Sequence, residues 1–163
     1  MTIYSEDRIR ELYSANNRAA ISYLTQLEVF CGNEPHFTGL SGWVYEQTIQ
    51  YCIRQELQGK KEVDISEQTK LGSRGKADLQ IGERVAIEIK LRGLFSPKDI
   101  TKYEKYRQVA NSVGVQYLYL TSGESYKPYR DGIAKVIGAE NTFFLDVRGD
   151  WRRFIKRLLQ LLN

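Results

Sequence analysis

The chain has 163 residues, enough for one domain whose hydrophobic core needs no disulfides or structural metals. With 42% hydrophobic and 27% charged residues, it has the composition of a soluble globular protein, which excludes a fibrous or intrinsically disordered chain. No apolar stretch approaches the roughly 20 residues of a membrane span, and the first residues lack the apolar core of a signal peptide. We therefore expect a cytoplasmic protein that does not associate with membranes. The net charge of +4 favours a polyanionic partner.

Cysteine and histidine usage excludes several kinds of site. Cys31 and Cys52 have no paired spacing, so the sequence indicates neither a zinc site nor a disulfide framework. The single histidine, His36, lies in a stretch rich in turn-forming residues and is interpreted as a loop residue. Sites built on several imidazole ligands are excluded, so any phosphoryl chemistry would have to use carboxylates, lysine and a metal ion.

Two helices are predicted in the first third of the chain. Residues 5–30 carry apolar side chains at helical spacing, with Asn16 and Asn17 as a candidate break in the middle. A turn is predicted over residues 31–38. The second helix, from Leu40 to Leu57, has apolar residues nearly all the way round, so we expect it to be well buried.

Strands are predicted next. Residues 61–69 predict a first strand, and the loop 72–75 leads into two short strands joined by a tight turn at Gly82-Glu83. The second strand of this hairpin covers residues 85–91 and alternates in character. Its odd-numbered residues are apolar, whereas Glu88 and Lys90 share the other face with Ala86.

The last part of the chain mixes helices and strands. Ser96, Pro97 and Asp99 form an approximate capping box that opens a helix. A strand over 115–121, a weaker helix over 131–137, a strand over 142–147 and an amphipathic helix over 150–162 complete the predicted elements. An antiparallel hairpin followed by a crossover helix predicts an α/β protein with a mixed central sheet flanked by helices.

The charged residues of the hairpin indicate a chemistry. The turn brings Asp78 on one strand within reach of Glu88 on the next. Two carboxylates crowded together repel each other unless a cation lies between them, and hard oxygen ligands suit Mg²⁺ or Mn²⁺. Together with Lys90 they are typical of a metal-dependent phosphodiesterase.

This run of residues resembles the PD-(D/E)XK nuclease superfamily, which has the restriction-endonuclease-like fold. Asp78 is followed, after nine residues, by Glu88-Ile89-Lys90, and Ala77 replaces the proline that precedes the aspartate in the family pattern. The resemblance covers about residues 38–122. It implies an α-β-β-β-α-β core, with additional helices at both ends of a single domain that spans residues 1–163.

The resemblance also implies roles for individual residues. Asp78 and Glu88 would bind Mg²⁺ or Mn²⁺, the backbone carbonyl of Ile89 would complete the shell, and Lys90 would orient the attacking water. Glu46, on the second helix, lies in line with an apolar stripe. It is interpreted either as a further catalytic metal ligand or as a partly exposed residue paired with a lysine or arginine.

A set of basic and polar residues near these positions forms a candidate nucleic-acid-binding surface. Its alternative is a solvated helix face and a plain connecting loop. The candidates are Arg74, Lys76, Arg92, Lys98, Lys102, Lys105 and Gln108. Tyr106, on the same helix, is interpreted as a core residue. The basic face of the last helix either grips a nucleic-acid backbone or keeps a packing helix in solution.

Two functions are compatible with this sequence. The first is a metal-dependent DNA nuclease, most simply an endonuclease, in which a homodimer would allow both strands of a duplex to be cut. Restriction, repair, recombination and defence remain open as its role, as does pairing with an immunity or accessory protein. The second is a non-catalytic module that binds nucleic acid or protein on a nuclease-like fold. The presence of Asp78, Glu88 and Lys90 together favours the nuclease.

Overall fold

The computed structural model describes residues 2–31, 39–71 and 75–163, and for residues 27–31 it describes the backbone alone. Of the turn predicted over 31–38, residue 31 belongs to the first helix, whereas residues 32–38 with His36 lie outside the described residues, as does the predicted binding residue Arg74. The helices are α1 (Glu6–Cys31), α2 (Leu40–Leu57), α3 (Pro97–Ser112), α4 (Lys127–Ile137) and α5 (Asp150–Leu162). The strands are β1 (Ile65–Leu71), β2 (Gly75–Ile81), β3 (Val85–Lys90), β4 (Gln116–Thr121) and β5 (Thr142–Phe144).

The five strands form one mixed sheet in the order β1-β2-β3-β4-β5. β1, β2 and β3 are antiparallel neighbours, while β4 is parallel to β3 and β5 is parallel to β4. α3 connects β3 to β4, as a parallel pair requires. The predicted α/β class with a mixed central sheet is confirmed.

Helices cover the sheet on both faces, and β3 shows why. Its residues Val85, Ile87 and Ile89 belong to a core that α1, α2 and α5 complete. Ala86 belongs to a second core, which α3 and α4 complete on the opposite face. The predicted alternation is therefore confirmed, and Glu88 and Lys90 lie on the face that α3 and α4 cover.

The helix α3 begins as its sequence predicts. The Asp99 carboxylate accepts hydrogen bonds from the backbone N–H groups of Phe95 and Ser96, at 2.8 and 3.2 Å, and Pro97 occupies the first turn. These bonds satisfy N–H groups that have no partner inside the helix. The start of α3 is thereby fixed close to the end of β3.

Several predicted boundaries differ from the structure. The predicted break in the first helix is wrong, because α1 continues through Asn16 and Asn17. The Asn16 amide donates to Thr48 Oγ1 of α2 at 3.1 Å, so this polar residue serves helix packing. β1 covers 65–71 rather than 61–69, α4 begins at residue 127 rather than 131, and β5 ends at 144 rather than 147.

A buried glutamate joins three parts of the fold. Glu56 of α2 is 0% exposed, and its Oε1 accepts hydrogen bonds from the backbone N–H groups of Ile3 and Tyr4, at 2.9 and 3.0 Å. The same oxygen accepts the indole N–H of Trp151 in α5 at 3.0 Å.

None of the described helices is long and apolar enough to cross a membrane.

Candidate active site

Asp78 lies where two antiparallel strands separate. The β2–β3 pairs run from Ile81↔Val85 to Leu79↔Ile87. Asp78 is the residue before Leu79 on β2, and its Oδ2 accepts a hydrogen bond from the backbone N–H of Ile89 at 2.7 Å. The Asp78 carboxylate therefore replaces a backbone carbonyl as the acceptor of this N–H group between the two strands. The hydrogen bond fixes the carboxylate beside Glu88.

Glu88 faces the second core, among tyrosines. The Tyr117 hydroxyl donates to Glu88 Oε2 at 3.3 Å from the neighbouring strand β4. Burial raises the pKa of Glu88 to about 8, and the negative charge of Asp78 adds to this rise. The positive charge of Lys102 and the Tyr117 hydrogen bond act in the opposite direction without cancelling it.

Glu46 approaches Asp78 from the other side, and Gln68 connects the two carboxylates. The Gln68 Nε2 amide donates to Glu46 Oε2 at 3.3 Å and to Asp78 Oδ1 at 3.1 Å. In the β1–β2 register, Gln68 lies opposite Asp78, between the pairs Glu67↔Leu79 and Thr69↔Ala77. Its backbone has φ of +48°, a left-handed conformation that is rare in a strand for a residue with a side chain.

The pKa values of all three carboxyl groups are raised, and the neighbouring lysines do not cancel the rise. Burial raises the pKa of Glu46 to about 7, and the charges of Asp78 and Glu67 add to the rise. Burial also raises the pKa of Asp78, in spite of the hydrogen bonds from Ile89 and Gln68 and the positive charge of Lys90. A site that disfavours its own negative charges in this way is one where a bound cation would be stabilised.

Lys90 is half-buried and lies against an aromatic ring. Its Nζ lies 4.7 Å from the centroid of the Phe95 ring, which is 84% exposed. The charge of Lys90 lowers the pKa of Asp78, so the two groups interact electrostatically. The structure therefore places the lysine beside an aromatic ring and near enough to Asp78 for their charges to interact.

Lys102 is a predicted binding residue whose charge reaches the carboxylates of the site. Its Nζ is 3.7 Å from Asp99 Oδ1 and 4.7 Å from the centroid of the Tyr103 ring. Its charge lowers the pKa of both Asp78 and Glu88. The four-residue spacing between Lys98 and Lys102 predicts that both lie on one face of α3. Only the tertiary structure shows that Lys102 is close to the carboxylates.

The remaining predicted binding residues are spread around the surface. Lys76, Lys98, Lys105 and Gln108 are exposed. Arg92, also exposed, lines a cavity against α1 together with Tyr13 and Tyr45. On the last helix, Arg153 and Arg157 donate to neighbouring backbone and Asn141 oxygens, which supports a packing role for that face.

Tyr106 packs against the second core, as predicted. The aromatic neighbours of Glu88 were missed as site residues. Tyr117 and Tyr119 alternate on β4 and so point to one face, which is a signal that the sequence contains.

Sequence reasoning also missed the residue that anchors the loop between β3 and α3. Glu124 is 4% exposed, and its carboxylate accepts the backbone N–H groups of Leu94 and Tyr126, at 2.7 and 3.0 Å. A side chain at Gly93 would collide with that carboxylate, whose Cδ would lie 2.7 Å away from it. Glu124 thus fixes the loop that presents Phe95 beside Lys90.

The donor set consists of hard oxygen atoms, which suit Mg²⁺ or Mn²⁺. Within the described ranges, no group of three or more His, Cys, Asp or Glu side chains is arranged closely enough to hold a metal ion. Two of the donors, the carboxylates of Glu46 and Asp78, are joined by the Gln68 amide. No family model, curated protein or solved structure matches the chain.

Proposed function

We propose that this protein is a metal-dependent nuclease that hydrolyses DNA phosphodiester bonds, on a restriction-endonuclease-like fold. The observation that carries the proposal is the Asp78 carboxylate bonded to the Ile89 N–H at the point where β2 leaves β3. This bond sets Asp78 beside Glu88 and Lys90, which follow each other on one face of β3. The order α2-β1-β2-β3-α3-β4, with three antiparallel strands and a parallel fourth, supports the proposed fold.

Asp78 and Glu46, whose carboxylates the Gln68 amide joins, would hold the Mg²⁺ or Mn²⁺ ion. Glu88 and the Ile89 carbonyl are the further ligands that the resemblance implies. The ion, when bound, would supply the Lewis-acid chemistry that activates a water for attack near neutral pH. The raised pKa of Glu46 and of Glu88 supports this assignment, because both carboxyl groups gain from a cation that stabilises their charged form.

Lys90 would act on the reacting phosphate. The water oxygen would attack phosphorus in line with the sugar oxygen that leaves; the water would lose a proton to solvent, the leaving oxygen would take one up from solvent, and negative charge would build on the non-bridging oxygens. The Lys90 ammonium group would orient that water and stabilise that charge, and it lies 4.7 Å from the centroid of the Phe95 ring.

The surroundings of the site suit a nucleic acid. The exposed Lys98, Lys102 and Lys105 lie on one face of α3, at a spacing that allows them to contact successive phosphates. The exposed Phe95 offers a flat surface on which a base can stack. DNA is proposed as the substrate on the strength of the resemblance.

One observation favours a second candidate, a module that binds nucleic acid without cutting it. The described residues contain no metal-binding group of three acidic, histidine or cysteine side chains, and the Gln68 amide already satisfies two of the carboxylates. In such a module the lysines of α3 would still bind phosphates.

A plasmid assay separates these functions. Supercoiled DNA is incubated with the wild-type protein and with Asp78→Asn or Lys90→Ala, in Mg²⁺, Mn²⁺ or EDTA. We expect nicking or linearisation that needs the metal and that both variants lose, while Asp64→Asn and Lys135→Ala, at exposed positions, retain it. Cleavage retained by both site variants would show that the site is misassigned. Tight binding without cleavage of plasmid, linear, branched or single-stranded DNA would support the binding module.

A further inference from the structure

A small cavity adjoins Asp78 on the side of the sheet where α2 packs. It has a volume of about 30 Å³, room for an ion or a water molecule but for little more. The residues that line it are mostly acids and amides: Trp43, Glu46, Gln47, Gln50, Glu67, Gln68, Asp78 and Leu79.

One of these amides is buried and lacks a partner. Gln50 lies one helical turn after Glu46 on α2 and is 7% exposed. Its Oε1 is buried and has no hydrogen-bond partner among the described residues. A buried acceptor of this kind destabilises the fold unless a donor or a cation reaches it.

The second amide, Gln68, occupies the position between the carboxylates. Its nitrogen donates to Glu46 and Asp78 at 3.3 and 3.1 Å, and Gln68 is otherwise exposed. An amide has a donor end and an acceptor end, so turning the group over presents an oxygen where the nitrogen now lies. Amide oxygens are suitable ligands for hard divalent cations.

We propose that Gln50 and Gln68 complete a divalent-cation site between Glu46 and Asp78, each through its amide oxygen. This inference rests on the proposed nuclease function and adds two residues to its metal centre. Without a cation, the Gln68 N–H group links the two carboxylates. With a cation, the Gln68 oxygen takes its place in the coordination shell and the Gln50 oxygen gains a partner.

The test is a titration of the purified protein with Mn²⁺ alone, followed by calorimetry and by the electron paramagnetic resonance signal of the free ion. We expect Gln68→Ala and Gln50→Ala each to weaken Mn²⁺ binding at least about tenfold. Gln47→Ala is the matched control, since Gln47 lines the same cavity but donates to Glu67 at 3.3 Å. The control should bind Mn²⁺ as the wild-type protein does.

A conservative variant separates a ligand from a structural donor. Gln68→Glu keeps an oxygen at the site but removes the N–H group, so it should bind Mn²⁺ at least as tightly as the wild type. In EDTA the same variant should melt at a lower temperature, because a further carboxylate joins Glu46 and Asp78. If Gln68→Glu loses Mn²⁺ as Gln68→Ala does, Gln68 is a hydrogen-bond donor only and the proposal fails.

Two further outcomes are distinguishable. If the wild type binds Mn²⁺, Asp78→Asn does not, and both glutamine-to-alanine variants bind normally, then the cavity holds water and only this inference is overturned. If the wild type binds no Mn²⁺ and cleaves no DNA, the proposed nuclease function fails and the cation site fails with it.

Discussion

Replacing Glu88 with glutamine should stabilise the metal-free protein at high pH. Burial, with the Asp78 charge, raises the pKa of Glu88 from 4.5 to about 8. A raised carboxyl pKa means that the folded state retains its proton more strongly than the unfolded chain does. The free energy of unfolding therefore falls as the pH rises from about 4.5 to about 8, and the loss is complete above that range.

The size of the effect follows from the two pKa values. The rise from 4.5 to about 8 corresponds to at most about 5 kcal/mol at pH 9. At pH 5 the same relation gives less than about 1 kcal/mol. Glutamine resembles the protonated carboxyl group and can still accept the Tyr117 hydrogen bond, so Glu88→Gln should avoid this cost.

Thermal melting in EDTA at pH 5 and pH 9 measures the difference. If at least about 2 kcal/mol of the cost is realised, the variant should melt at least about 4 °C above the wild type at pH 9 and close to it at pH 5. Glu83→Gln, at an exposed position in the β2–β3 turn, is the control. Saturating Mn²⁺ should reverse the order at pH 9, because a carboxylate binds the ion better than an amide. A difference that is the same at both pH values would refute the reasoning.

Three further changes test the surroundings of the site. Glu56→Ala should lower the free energy of unfolding by about 3–5 kcal/mol in a denaturant titration, because three N–H donors lose their acceptor; an effect as small as that of Glu62→Ala, at an exposed position, would contradict this. Gly93→Ala should cost about 1–3 kcal/mol, because its side chain collides with the Glu124 carboxylate, and no loss would show that Glu124 can move aside. Tyr117→Phe removes a hydrogen bond that lowers the pKa of Glu88, so the pH–rate profile of cleavage should move to higher pH, whereas Tyr129→Phe should leave it unchanged.

The local part of the fold could be predicted because its signals are local. Alternation in β3, the capping residues of α3 and the amphipathic pattern of α5 each depend on neighbours in sequence. These features set the strand that carries Glu88 and Lys90 and the helix that carries Lys102. The start of β1 was predicted too early, because residues 61–64 carry a strand-like pattern without a paired neighbour in the sheet.

The tertiary part of the site could not be predicted in the same way. Asn16 looked like a helix break because asparagine is a poor helix former, yet its hydrogen bond to Thr48 offsets that preference. Glu124 acts on Leu94, a residue 30 positions earlier in the chain, and the left-handed backbone of Gln68 has no sequence signature. Such contacts depend on how elements pack, which composition and periodicity do not specify.

Asp78 links these two parts, and this decides which experiments are informative. On one side its Oδ2 is fixed by the Ile89 N–H, a bond that belongs to the hairpin. On the other side its Oδ1 is joined through Gln68 to Glu46, a bond that depends on α2 packing beside the sheet. The hairpin alone places a carboxylate pair and a lysine on one strand end, which a binding module would also possess. The proposed nuclease also needs a cation to bind between Glu46 and Asp78, where the Gln68 amide now donates to both carboxylates. Metal binding at this side therefore discriminates between the two functions more directly than DNA binding does, since phosphate contacts through α3 are expected in both.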